Sequence, residues 1–101
     1  MTCYTYLWEF LVDPEDETQF VEHYGPDGAW VRLFEQAEGF IETRLLKDKD
    51  RPGRYVTMDR WTCLSAYEAF RERFAVAYAA LDQHCEGLTQ SEVSMGAFHD
   101  L

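Results

Sequence analysis

The chain has 101 residues, among them seven Phe, six Tyr and three Trp, and a formal net charge of −10. Its length reads as one domain over residues 1–101, and a chain this short buries a thin core, so the heavy aromatic content points to a second subunit or a cavity. Residues 1–40 hold nine Asp or Glu against a single Arg, Arg32, which excludes nucleic acid and anionic membrane surfaces as partners.

Residues 3–12 are rich in β-branched and aromatic types and read as a strand. Tyr4, Tyr6, Trp8, Phe10 and Val12 fall on one face, and Cys3, Thr5, Leu7, Glu9 and Leu11 on the other. Both faces are largely apolar, which predicts cover on both sides. Asp13-Pro14 ends the strand, and Pro14 with Glu15, Asp16 and Glu17 suits the positive end of a helix. Phe20, Val21 and Tyr24 are its apolar positions, and Gly25-Pro26 breaks it. Asp27 is placed to cap a second segment with Ala29, Trp30, Leu33, Phe34 and Ala37 as its buried stripe, closed by Glu38-Gly39. Residues 14–37 thus form one crossover layer of two helical pieces.

Phe40 to Leu46 and Arg54 to Trp61 are strands joined by the polar turn 47–53, a hairpin. Ser65 and Glu68 have the spacing of a capping box. Tyr67, Phe70, Phe74, Ala77, Leu81 and Cys85 repeat at helical spacing, so a long helix runs from about 65 to 85 until Gly87. Ser91 to Phe98 is the last strand. The order β-α-β-β-α-β is a ferredoxin-like α+β topology, a four-stranded antiparallel sheet with the helices on one face. The bare face is then covered by a second copy, a homodimer packed through the sheet face.

Cys3, Cys63 and Cys85 are widely spaced, with no CxxC pair, and no signal peptide precedes the first strand, so the thiols read as reduced and the protein as cytoplasmic. No apolar run reaches membrane-spanning length. His23, His84 and His99 are far apart in sequence and read as surface or cap residues; no metal constellation is predicted. Asp59 and Trp61 share a strand face with Tyr55 and Thr57, which reads either as a pocket orienting a planar substrate or as a core Trp beside a paired Asp. Trp30, Tyr24 and Tyr67 could join the same apolar region. Arg44 and Arg60 have the opposite parity and read as dimer-face or edge charges. Glycine-rich phosphate loops, dinucleotide fingerprints and nucleophile elbows are absent, so no cofactor is expected. Any chemistry would rest on aromatic confinement and a few polar groups.

The segments 20–48 and 54–74 carry a likeness to a known family. Its marks are Gly39-Phe40 opening the second strand, Asp59-Arg60-Trp61 ending the third, and Ser65, Ala69 and Phe70 with Tyr67 between them at the start of the long helix. In these the chain resembles the antibiotic biosynthesis monooxygenase superfamily, closest to its small bacterial members. The resemblance implies a ferredoxin-like homodimer, a dimeric α+β barrel, with a ligand cavity between sheet and helices. It implies a cofactor-independent monooxygenase that uses O2 on a small aromatic polyketide or quinol-like substrate, where confinement, proton handling and exclusion of water are the protein's share. Trp61 matches the pocket tryptophan of such proteins. With it, Asp59 and Tyr67 are the candidate catalytic residues, and Trp30, Tyr24, Tyr6, Trp8, Phe70 and Phe74 the candidate substrate contacts. The chain has no Asn, which quinone-forming members use near that tryptophan, and it offers Arg71 and Glu72 where haem-degrading members need a helix His. A non-catalytic homodimer that binds a small apolar ligand, and a cofactor-free cyclase or isomerase, are the alternatives.

Overall fold

The computed structural model describes residues 2–101. Strand β1 covers Tyr4–Leu11, β2 Phe40–Lys47, β3 Arg54–Trp61 and β4 Ser91–His99. Helices α1 (Glu17–Tyr24) and α2 (Ala29–Phe34) follow β1, and α3 (Leu64–Arg73) and α4 (Ala75–Cys85) follow β3. All pairings are antiparallel, in the order β2-β3-β1-β4. The α+β class, the four strands and the ferredoxin-like order agree with the sequence.

The barrel does not. The sheet is open, with β2 and β4 as its two edges, and these do not pair with each other. The reason is geometric: four strands, each rotated by roughly 20–25° from its neighbour, cannot curl far enough for the edges to meet, and small closed barrels take about eight.

Alternation on β3 is complete, with Tyr55, Thr57, Asp59 and Trp61 buried and the residues between them half-buried. The inner face of the sheet packs Tyr6, Phe10, Tyr55 and Trp61 against Phe20, Tyr24, Trp30, Leu33, Phe34 and Phe70 of the helices. Gly39 sets the entry into β2. Its φ is +90°, and a Cβ there would lie 2.6 Å from the Ala66 Cβ and 2.8 Å from the Thr62 Oγ1. The absence of a side chain lets the Thr62 N–H donate to the Gly39 carbonyl at 2.7 Å, which ties the start of β2 to the end of β3.

Three local expectations change. The first is the capping box. Helix α3 begins at Leu64 after an extended Cys63, and no side chain caps it, so Ser65 lies inside the first turn. The bond from Thr62 to Gly39 holds the chain in strand geometry until Cys63, which leaves no room for Ser65 outside the helix. The second is Asp27. The residue before α2 is Gly28, without a side-chain cap, and Asp27 instead accepts from Arg32 through its backbone carbonyl at 3.2 Å. The third is the long helix, which breaks at Phe74 (φ −106°, ψ 24°). The break turns α4 so that Tyr78 faces the core while Ala77 is exposed. Tyr78 thereby meets Trp30 edge-on at 5.0 Å.

Candidate functional site

A cavity of about 300 Å³ lies between the inner face of the sheet and the helices. Its floor is Tyr6, Trp8 and Phe10 of β1, Thr43 of β2, Thr57 and Asp59 of β3, and Glu92 of β4; its roof is Tyr24, Trp30 and Phe34 with Arg71, Tyr78 and Asp82. The floor residues share one face because strand side chains alternate, and the pairings Tyr6 with Asp59 and Thr43 with Asp59 bring three polar groups together.

Asp59 is 6% exposed. The Thr43 hydroxyl donates to its Oδ1. Burial disfavours the carboxylate and outweighs the help it receives from Thr43 and Tyr6, so its pKa is pushed up to about 6. Burial also holds the Tyr6 phenol well above its ordinary range, so Tyr6 is a donor rather than a phenolate at neutral pH. Tyr78 is raised to about 12 by burial, against the pull of the neighbouring Arg71 cation.

Arg71 is the basic group of the cavity wall. Its Nη1 donates to the Tyr67 hydroxyl at 3.0 Å, and its guanidinium lies 3.9 Å from the Tyr78 ring centroid. Those two contacts orient a long, flexible side chain toward the cavity. The Trp30 ring is 7% exposed, and its indole N–H faces the Tyr24 hydroxyl and the Cys85 thiol.

Of the residues singled out from sequence, Tyr6, Trp8, Tyr24, Trp30 and Asp59 meet at the cavity. Trp61 is placed differently. It is fully buried and ringed by Phe34, Phe40, Tyr67 and Phe70 at 5.0–5.8 Å between centroids, outside the cavity lining. Tyr67 backs the wall through Arg71, and Phe70 and Phe74 border a separate groove with Ala37 and Gly39. Arg44 and Arg60 lie on the opposite face of the sheet, where both pair with Glu42. Thr43, Arg71, Tyr78, Asp82 and Glu92 went unnoticed as site residues. The hairpin register carries a signal for Thr43, since it sits directly across from Asp59. Arg71 and Tyr78 come together only through the break at Phe74. Among the described residues, the acidic side chains that converge as potential metal ligands are Asp13, Glu15 and Asp16, which lie at the turn before α1 and not in the cavity. No helix is long and apolar enough to cross a membrane.

An open ferredoxin-like sheet with a buried carboxylate facing an aromatic cavity defines a class of small α+β proteins rather than one activity. The chain belongs to the antibiotic biosynthesis monooxygenase family, whose profile matches residues 4–80. Similar solved structures include SnoaB, a cofactor-independent oxygenase from Streptomyces nogalater, with 19% identity, coverage of 100% of this chain and 95% of that one, and a TM-score of 0.73. Rv0793 from Mycobacterium tuberculosis is 14% identical with coverage of 98% and 95% and a TM-score of 0.74. NE2512, a protein of unknown function from Nitrosomonas europaea, is 17% identical with coverage of 100% and 91% and a TM-score of 0.72. At these identities the likeness is one of fold. No curated protein matches the chain.

Proposed function

We propose that the chain is a cofactor-independent monooxygenase that oxidises a small phenolic or quinol-like aromatic substrate with O2. The observation that carries this reading is Asp59, a buried carboxyl that titrates at about 6 on the floor of an aromatic cavity whose wall also holds a cation, Arg71. A general base is most useful when its pKa lies near the working pH. The substrate binds flat against Trp8, Trp30 and Tyr78. Asp59 takes a proton from an acidic CH2 or OH group, and Arg71 stabilises the resulting anion. The anion passes an electron to O2, the two radicals combine to form a C–O bond, and loss of water leaves a carbonyl. For an anthrone-type carbon the balance is CH2 + O2 → C=O + H2O, with four electrons leaving carbon and four reducing O2. Tyr67 positions Arg71. Trp61, two residues along the same face from Asp59, holds the strand end from behind.

The family match and the likeness to SnoaB support this reading. The test is oxygen uptake by the purified protein with dihydroxyanthrone. One O2 is consumed per substrate, the rate rises through an apparent pKa of about 6, and Arg71→Gln lowers it about 10²-fold. Saturable binding without uptake would instead make this a binding protein, and anaerobic turnover would make it an isomerase or cyclase.

A second copy of the chain covers the outer sheet face in this proposal. Val93 and Phe98 are 50% and 54% exposed there, beside half-buried Leu7, Leu11, Val56 and Met58. Apolar side chains left exposed among the ion pairs of this face support an association surface. Light scattering should give twice the chain mass, and Phe98→Asp should halve it; a monomer in the wild type would refute the dimer.

A further inference from the structure

His23 and His84 are remote in sequence, yet the fold brings their rings to 5.3 Å between centroids, with 41° between the ring planes. Each is the second-last residue of its helix, His23 on α1 and His84 on α4. Neither lines the cavity, and the proposed reaction makes no use of them. The C-terminal end of a helix carries partial negative charge from its unpaired carbonyls, which favours a cation there. Two such ends converge at this pair, in a chain whose formal net charge is −10.

A second observation concerns His23 itself. Its Nδ1 lies 2.8 Å from the Gln19 carbonyl oxygen, one turn back on the same helix. A carbonyl can only accept, so Nδ1 carries the proton, and Nε2 of the neutral ring keeps its lone pair for a ligand. Metal-binding histidines have this arrangement, in which the second ring nitrogen donates to a carbonyl that fixes the tautomer and the ring orientation. The separation fits as well. With an ion about 2.0–2.1 Å from one nitrogen of each ring and roughly tetrahedral angles, the two ring centroids stand about 5 Å apart. Among the described residues no third His, Cys, Asp or Glu converges with the pair, so water or an added ligand would complete the coordination.

We propose that His23 and His84 form a two-imidazole site for a divalent transition-metal ion of the zinc type, which ties the end of α1 to the end of α4. Imidazole nitrogen suits zinc, nickel and copper, whereas magnesium and calcium prefer oxygen donors. The next residue on each helix is turned inward: Tyr24 and Cys85 are buried, and both face the Trp30 indole N–H. The bound ion thus holds together the two helix ends that pack around Trp30 in the cavity roof. It supplies no step of the proposed reaction, and the site does not depend on that reading.

The test is calorimetry of the untagged full chain with zinc chloride, repeated in the presence of magnesium chloride. Zinc should bind, and magnesium should not compete with it. His84 is exposed, so His84→Ala leaves the core untouched, and it should weaken zinc binding by about 10²-fold. His23→Ala should weaken it equally. Zinc at about ten times its dissociation constant should raise the thermal midpoint of the wild type by about 5–10 °C and leave that of His84→Ala unmoved. The absence of zinc binding at millimolar concentration would overturn the proposal. Equal affinity in the wild type and both variants would overturn it too, placing the ion on the thiols or on the turn of Asp13, Glu15 and Asp16. Displacement of zinc by magnesium would do the same. A loss confined to one of the two variants would leave a single-histidine contact and sink the clamp between the helices.

Discussion

Asp59→Asn should stop turnover and make the protein more stable at pH 8. An amide cannot take a proton, so oxygen uptake is expected to fall by about 10²–10⁴-fold. The gain in stability comes from the same burial that tunes the acid. Asp59 titrates at about 6 in the folded protein against an ordinary value of 3.8. Between these values the unfolded chain has released the proton and the folded chain still holds it, so stability falls as pH rises from about 4 to 6. Below that window the acid is neutral in both states and imposes no penalty. Above it the full penalty is present, about 3 kcal/mol for a shift of roughly two pH units. Asn keeps the shape and can still accept from Thr43. Urea unfolding of the two proteins should therefore coincide at pH 4 and diverge at pH 8, with the variant more stable. A difference of the same size at both pH values would show that Asp59 is not held at a raised pKa.

The second large effect is at Trp61. Its side chain is completely buried among four aromatic rings, and replacing it by Ala leaves a hole that the surrounding rings cannot fill by small shifts. Such truncations cost about 3–5 kcal/mol, a large share of the stability of a domain this size. The thermal midpoint should fall by roughly 15 °C or more. Trp61→Phe keeps a ring in place among the same four neighbours, so it should be far milder. The pair separates packing from chemistry. In our reading Trp61→Phe retains most of kcat. A loss of kcat as large as that of Asp59→Asn, in a stably folded Trp61→Phe variant, would place the indole at the reacting atoms.

These two residues also show how the site was and was not legible. Asp59 and Trp61 stand out in sequence for the same reason, a shared parity on one strand, yet one lines the cavity and the other lies behind it. Parity assigns a face of the sheet, but position along the strand decides what lies above that face. At Trp61 the helices press Phe34 and Phe70 onto the sheet; at Asp59 they stand off and leave a space. Arg71 is equally instructive. In sequence it stands only as one of the two residues found where haem-degrading members need a helix His, and in the structure Tyr67 and the rotated Tyr78 hold its guanidinium at the cavity.

Local chemistry in the sequence was enough for the four strands, the hairpin, the two-piece crossover and the order of the sheet. Side-chain alternation, Pro14 and Gly25-Pro26 act within a few residues of themselves and need no partner from elsewhere in the chain. Tertiary structure alone decided three things. The sheet stays open because four twisted strands do not bring β2 to β4. The first turn of α3 forgoes its capping box because a bond from Gly39, more than twenty residues away, holds the end of β3. The cavity exists because bulky rings on the helices and the sheet meet imperfectly around Asp59, and how completely such surfaces interlock depends on the whole set of packed side chains at once.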